Sequence, residues 1–313
     1  MKVKQDVLLF AYNGRTPFDK QLFKIHHDGS HYVGNIVFKR KQTIKKNQDS
    51  KEKRIVSCLS ELYISAVQSG IKEEKIYSCI KNSLPNELAE LSNINELLEK
   101  GIKQAKHRLY SRLKRFRRKA RLNKWSHFVT ITYDDKKHNE ATFRTKLKKT
   151  LSNLHTRRGW KYMGAFERSP ENHRLHFHAL FYIPKNEMVG EVKTRRDFST
   201  KEHKMQTTIY NTFFEKAFGR NDFEKISDDQ EVKKGKAIDY ITKYITKSGE
   251  KILYSRDIPS EIYKFLDKND LAANYFDFVS KYVLFDDVID IEKDIQRVEY
   301  IEIQCSMYDY AYL

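Results

Sequence analysis

Three short segments rich in β-branched and aromatic residues constrain the fold of this 313-residue chain more than any other feature. They read HFVTITY at 127–133, WKYMGAFE at 160–167 and RLHFHALFYI at 174–183. This composition is typical of β-strands. The sequence Ser-Pro-Glu-Asn at 169–172 is typical of a turn, so the last two segments are predicted to form a hairpin. Residues 141–155, between the first and second segments, have the apolar spacing of a helix.

The rest of the chain divides into stretches of different texture. The first forty residues indicate a small β-rich start interrupted by Asn13-Gly14 and Asp28-Gly29, and the polar residues 41–54 indicate a linker. Helical spacing predicts helices at 55–69, 71–82, 102–123, 204–218 and 236–247. We therefore expect three regions: 1–101, with a small β start and then helices, whose role stays open; 102–285, a nicking domain preceded by a basic helix; and the acidic tail 286–313.

Charge points to a polyanionic partner. The chain has a net charge of +18, and residues 103–124 hold eleven basic residues and no acidic one. Such cations gain affinity for DNA or RNA by releasing counterions. Arg112, Arg115 and Arg118 lie at i, i+3 and i+6, close enough to share a helix face, and are predicted to bind the DNA backbone. The alternative is a solvated basic surface.

Several classes of protein are not indicated. No stretch approaches the run of about 20 apolar residues that a spanning helix needs. The three cysteines, Cys58, Cys79 and Cys305, are too sparse for a disulfide scaffold or a cysteine-built zinc site, which favours a reducing cytoplasm. The chain contains no GxxxxGK phosphate loop, so an attached P-loop ATPase or helicase is not expected.

The His176-Phe177-His178 sequence is a candidate metal site. In a strand, period-two geometry directs both imidazoles to one face and Phe177 to the other. A turn near 170–173 brings Glu167 roughly opposite residues 174–176. Two imidazoles and a carboxylate suit a divalent ion such as Mg²⁺ or Mn²⁺. The alternative is a pair of strand histidines that face water.

Residues 237–247 contain Tyr-Ile-Thr-Lys twice in tandem. In a helix, the isoleucines would form one side, with Tyr240, Tyr244, Lys243 and Lys247 on the opposite side. Two phenols one turn apart beside lysines can act as oxygen nucleophiles. The alternatives are packing or surface tyrosines, and a strand in place of the helix.

Taken together, these motifs resemble the HUH endonucleases that start rolling-circle replication, most closely the two-tyrosine initiators of gokushovirus-type microviruses. Residues 128–133 are similar to the first strand motif of that family, Glu167 with His176 and His178 to its metal motif, and Tyr240 with Tyr244 to its nucleophile motif. Leu175 stands where the family usually has a proline. The resemblance spans residues 128–247.

The resemblance implies an α+β fold of the ferredoxin or RRM-like kind, with an antiparallel central sheet flanked by helices. It also implies a metal-dependent endonuclease and strand transferase of a bacteriophage, active in the host cytoplasm. Glu167, His176 and His178 would hold Mg²⁺ or Mn²⁺. Tyr240 and Tyr244 would alternate as nucleophiles on single-stranded or locally melted origin DNA, aided by Lys243 and Lys247. Host helicase and DNA polymerase would be partners.

Two alternatives remain open. The chain could be a plasmid initiator, relaxase or transposase with the same chemistry, or a non-catalytic module that holds nucleic acid without cutting it.

Other candidate residues have simpler interpretations. His26, His27 and His31 flank an Asp-Gly turn and are expected to be solvated rather than metal ligands. Thr130 and Thr132 are expected to be strand formers rather than catalysts.

Overall fold

A computed structural model describes residues 21–37, 51–169, 174–199, 203–226, 231–248, 250, 252–276 and 279–290. The helices are α1 Lys51–Gln68, α2 Glu73–Asn82, α3 Asn86–Ala89, α4 Ile94–Leu122, α5 Glu140–Arg158, α6 Thr212–Ala217 and α7 Glu231–Ser248. The strands are β1 Gln21–His27, β2 Tyr32–Ile36, β3 His127–Thr132, β4 Lys161–Arg168, β5 Leu175–Tyr182, β6 Val192–Ser199, β7 Lys204–Asn211, β8 Asn221–Lys225, β9 Ile252–Tyr254, β10 Ile262–Leu266, β11 Leu271–Phe276 and β12 Val279–Leu284.

The described chain separates into two compact units. The larger unit comprises the described residues between 46 and 114 and between 124 and 257, and the smaller unit comprises those before 46, at 115–123 and from 258 onward. The units are built from separated segments, and they differ from the contiguous regions expected at 1–101, 102–285 and 286–313. Of the expected acidic tail, residues 291–313 lie outside the described residues.

A five-stranded antiparallel sheet in the order β8-β3-β5-β4-β9 forms the centre of the larger unit. All three predicted strands are present in it, and β4 and β5 form the predicted hairpin. Helix α5 packs its apolar residues against one face of the sheet. Helix α7 contacts β4 and β5. The expected α+β fold, with an antiparallel sheet flanked by helices, is confirmed.

Strand alternation decides what each face of this sheet carries. The odd-numbered residues of β5 lie in the core under helix α5: Leu175, Phe177, Ala179 and Phe181. Their even-numbered neighbours therefore point to the opposite face. A fully buried core next to a functional face holds the strand backbone rigidly, which fixes where the even-numbered side chains begin.

Helices α1, α2 and α4 pack on one another through a second apolar cluster. The expected helix break near Gly101 is wrong, because α4 continues through this residue. A Cβ atom at Gly101 would lie 2.7 Å from Leu59 Cβ and 3.3 Å from Val56 O of helix α1. The glycine therefore allows two helices to approach closely and does not end one.

The smaller unit contains a second five-stranded sheet, in the order β10-β1-β2-β12-β11. The expected β-rich start is confirmed for β1 and β2, which turn at Asp28 and Gly29; residues 1–20 lie outside the described residues. Strand β1 also pairs with β10, and β2 with β12. Leu122, at the end of α4, joins Phe23, Ile25 and Ile262 in the core of this unit.

Strands β6 and β7 form a separate two-stranded ribbon in the larger unit. The helix expected over 204–218 is therefore wrong in its first half. Met205 and Ile209 have helical spacing, but Thr207, Thr208 and Ile209 are β-branched, and residues 204–211 pair with β6 along their whole length. The helix begins only after Asn211, whose side-chain oxygen accepts hydrogen bonds from the backbone N–H groups of residues 213 and 214.

Among the helices that the structure describes, none is long and apolar enough to cross a membrane.

Candidate functional site

The candidate site lies on the face of the central sheet opposite helix α5. Strand register pairs Glu167 on β4 with His176 on β5. The two histidines and the glutamate occupy positions of the same strand parity, so all three side chains begin on this face. The prediction that His176 and His178 share a face away from Phe177 is confirmed.

Glu167 and His178 are in direct contact in a nearly dry environment. Their side chains keep only 5 and 6% of their exposure, and Glu167 Oε2 lies 2.6 Å from His178 Nε2. Within the described chain, no hydrogen-bond donor is aimed at this carboxylate oxygen, so the short contact is not an aligned hydrogen bond. A buried anionic oxygen without a donor is costly, and a bound cation would relieve that cost.

His176 lies beside this pair, with its ring centroid 6.2 Å from that of His178. Burial lowers the pKa of His176, and the neighbouring His178 lowers it further against the opposing effect of Glu167. The imidazole is thus favoured in its neutral form, which is the form that can donate a lone pair to a metal.

The residue types suit a divalent ion, but the described side chains do not form a complete coordination site. Within the described ranges, no group of three or more His, Cys, Asp or Glu side chains is arranged so that it could hold a metal ion. His178 Nε2 and Glu167 Oε2 instead face each other directly. The donor set fits a metal in its chemistry, and the ligand role of the three residues stays a prediction.

Two threonines of β3 complete the polar part of this face. Thr130 Oγ1 lies 2.9 Å from His178 Nδ1, and Thr132 Oγ1 lies 2.7 Å from His176 Nδ1. Sequence reasoning treated both as strand formers only. The available signal was their alternation in step with the histidines, but nothing in the sequence shows that β3 and β5 are neighbours in this register.

Helix α7 brings the first of the two tyrosines to the histidines. The Tyr240 ring packs edge-on against His178, with centroids 5.0 Å apart, and against Phe128 at 5.8 Å. Tyr240 remains 38% exposed. The predicted helix is confirmed, with Ile238, Ile241 and Ile245 buried on its apolar side.

The other residues predicted on α7 are only partly described. Lys243 is exposed, whereas the side chains of Tyr244 and Lys247 lie outside the described part of the chain. By helix geometry, Tyr244 follows Tyr240 by about one turn.

The three arginines predicted to bind DNA differ in their surroundings. Arg115 is exposed, while Arg112 and Arg118 are half-buried. Arg118 Nη2 lies 2.8 Å from the Nε2 of His26, a histidine that is buried rather than solvated as expected. The neighbouring Lys119 is also buried and donates to the backbone carbonyl of Ile258. Part of the basic run therefore bonds within the smaller unit.

Comparison with known protein families adds one independent observation. A family model described as a replication-associated protein, of the ORF2 and gene II protein type, matches residues 126–249, which is less than half of the chain. The matched range includes β3, the β4–β5 hairpin and α7, and it excludes the basic helix α4. No curated protein and no solved structure matches the chain. The similarity to this family supports a general role in the initiation of replication.

Proposed function

We propose that this protein is a metal-dependent DNA-nicking enzyme that starts and ends rolling-circle replication through a covalent 5′-phosphotyrosine. The observation that carries the proposal is the contact of Tyr240 with His178, because it joins the candidate nucleophile to the candidate metal ligands. The family match over 126–249 supports the same assignment, since it covers both groups of residues.

Glu167, His176 and His178 would hold Mg²⁺ or Mn²⁺. When bound, the ion would supply positive charge that polarises a phosphodiester oxygen. The strand backbone fixes the three residues on adjacent strands, and the buried setting strengthens every charge interaction there.

Tyr240 would act as a nucleophile. Its phenol oxygen forms a bond to phosphorus and gives up its proton to solvent, while the bond from phosphorus to the 3′ oxygen breaks and that oxygen leaves as a hydroxyl. The bond energy is conserved in the phosphotyrosine, so the reverse attack by a 3′ hydroxyl rejoins the strand. Lys243, exposed on the same helix, and Lys247 would offset charge that develops on the phosphate.

Tyr244 would supply the second nucleophile. Rolling-circle synthesis needs one transfer at its start and another at its end, and two phenols about one helical turn apart could alternate with a small shift of DNA or helix. The substrate would be single-stranded or locally melted origin DNA. Host helicase and DNA polymerase would follow as partners, and a bacterial host cytoplasm would be the place of action.

Covalent capture tests the nucleophiles. The protein is incubated with Mn²⁺ and a random-sequence pool of single-stranded oligonucleotides, and adducts stable to denaturation are isolated, sequenced and mapped by mass spectrometry. Tyr240→Phe and Tyr244→Phe should each still form an adduct in a single round but fail in repeated cycles, and the double variant should form none. Tyr77→Phe, on helix α2, is the matched control and should behave as wild type. An adduct on any other tyrosine overturns the site assignment.

A second experiment tests the histidines. His176→Ala with His178→Ala should abolish nicking while most DNA binding remains, because the exposed cations of α4 are unchanged. Full nicking by this double variant in excess EDTA contradicts the metal assignment.

One observation favours the alternative of a non-catalytic binding module: the absence of a complete metal-ligand cluster within the described residues. That alternative predicts DNA binding with neither cleavage nor adduct under any divalent ion. The capture experiment separates the two functions directly.

A further inference from the structure

We propose that Thr130 and Thr132 are positioning residues that hold the two imidazoles in the orientation needed to bind a metal through Nε2. This inference rests on the proposed function. It starts from two contacts of the same kind, one from each threonine hydroxyl to the Nδ1 atom of the histidine directly opposite on β5, at 2.9 and 2.7 Å.

The strand register makes these contacts repeatable. Thr130 is paired with His178 and Thr132 with His176, so each hydroxyl and each ring begin at opposed Cα atoms of neighbouring antiparallel strands. Side chains at opposed positions are near enough to interact. Threonine is branched at Cβ and therefore stiff at χ1, so the hydroxyl stays close to one position.

Fixing one ring nitrogen fixes the other. A half-turn of the ring about Cβ–Cγ would exchange Nδ1 with Cδ2 and Nε2 with Cε1. Such a turn would leave the threonine hydroxyl opposite a carbon and remove the nitrogen from the site. The contact to Nδ1 opposes this turn, and Nε2 is left to face Glu167, as it does in His178.

The hydroxyl also suits both protonation patterns of the ring. A threonine oxygen can accept a hydrogen bond from Nδ1–H or donate one to bare Nδ1. Metal binding at Nε2 requires the proton to lie on Nδ1, where Thr130 and Thr132 can accept it. Outer partners of this kind orient ligand histidines in metal sites, and their loss typically weakens metal affinity about 10–100-fold.

Strand formation alone does not require these hydroxyls. Valine has the same branched shape and an equal preference for strands, so a purely structural role would be satisfied by valine at both positions. The side-chain oxygen is therefore the atom to remove. The larger unit should tolerate its loss, because the sheet core under α5 is on the other face.

The test compares Thr130→Val, Thr132→Val and the double variant with Thr130→Ser, which keeps the hydroxyl. Thr207→Val, on an exposed strand position of the β6–β7 ribbon, is the matched control. Three quantities are measured: the Kd for Mn²⁺ by calorimetry, the ¹⁵N shifts of the histidine ring nitrogens without metal, and nicking across a range of Mn²⁺ concentrations. Thermal melting checks that each variant is folded.

We expect the double valine variant to bind Mn²⁺ about 10–100-fold more weakly, with Thr130→Ser and Thr207→Val close to wild type. The ¹⁵N shifts of His176 and His178 should change, because the Nδ1 partners are lost. Nicking should fall at low Mn²⁺ and recover as Mn²⁺ is raised, since the tyrosines are untouched.

Two results would count against the inference or its basis in different ways. An unchanged Kd and unchanged ¹⁵N shifts in the double valine variant would overturn the positioning role. If the wild-type protein neither binds Mn²⁺ nor nicks DNA, the proposed function fails and the metal-positioning role falls with it, even where the ¹⁵N shifts show that the threonines orient the rings.

Discussion

At the scale of single residues, this chain uses buried histidines in two ways. His178 lies against a carboxylate and an aromatic ring of helix α7. His127, on β3, has its Nδ1 2.9 Å from Ser126 Oγ and its ring against Phe223. Burial, with Lys225 nearby, lowers the pKa of His127 to about 4. The first histidine is arranged for a ligand, whereas the second is a neutral part of the sheet.

His127 should make stability depend on pH. Its pKa is about 4 when folded against an ordinary value of 6.5, so between these values the unfolded chain binds the proton more tightly. The contribution is fully present above pH 6.5 and is lost as pH falls toward 4. His127→Gln should therefore reduce the loss of unfolding free energy between about pH 7 and pH 5 by about 1 kcal/mol, after discounting for partial exposure. Urea titrations at both pH values measure this, with exposed His107→Gln as the control; equal losses in all three proteins would refute it.

At the scale of elements, glycines inside helices have opposite roles in α4 and α7. Gly101 in α4 leaves no room for a Cβ beside Leu59, whereas a Cβ at Gly235 in α7 meets nothing within 4 Å. Both glycines lower helix propensity, so only the packing differs. The close approach of α1 and α4 thus depends on one missing side chain.

Alanine substitutions should separate these roles. Gly101→Ala should destabilise the protein by about 1–3 kcal/mol through overpacking, despite the gain in helix propensity. Gly235→Ala should stabilise it by up to about 1 kcal/mol. Denaturant unfolding of the two variants measures both. A stabilising Gly101→Ala would show that the helices can move apart at little cost.

The basic helix α4 is also divided in use along its length. Arg115 is exposed, but Arg118 contacts His26 in the smaller unit. Only the exposed cation is free of that structural role, so the two arginines should respond differently to the same substitution.

Arg115→Gln should reduce the slope of log affinity against log salt for single-stranded DNA by about 0.7, the value for one phosphate contact. Arg118→Gln should lower the melting temperature and change the slope less. Fluorescence anisotropy at several salt concentrations and thermal melting measure the two effects. An unchanged slope for Arg115→Gln would return this part of the helix to the solvated-surface alternative.

At the scale of the whole molecule, segments far apart in sequence form one sheet in the smaller unit. Strands β1 and β2, near residue 30, pair with β10 and β12, beyond residue 257. A truncated protein beginning at residue 51 would leave β10 and β12 with unpaired backbone groups and uncover Ile262 and Leu284.

We therefore expect truncation before residue 51 to reduce hydrogen-exchange protection throughout 262–284, while the central sheet of the larger unit keeps its protection. Exchange measured by mass spectrometry tests this. Unchanged protection of β10 and β12 would show that these strands do not depend on the N-terminal hairpin.

The sequence by itself determined the elements around the candidate site. Period-two alternation in β5 fixed the common face of His176 and His178, and the apolar stripe of α7 fixed Ile238 and Ile241 on its buried side. These predictions succeed because strand and helix periodicities depend on local backbone geometry. Local patterns failed at 204–218, where two apolar residues four apart occur in a strand that pairs with β6.

Only the tertiary structure decided which elements meet. The register of β3 beside β5 brings Thr130 and Thr132 to the histidines, and the packing of α7 brings Tyr240 to His178. The pairing of β1 with β10 likewise joins residues more than two hundred positions apart. Such contacts depend on the burial of surfaces shared by distant segments, and no periodicity within one segment records its partner.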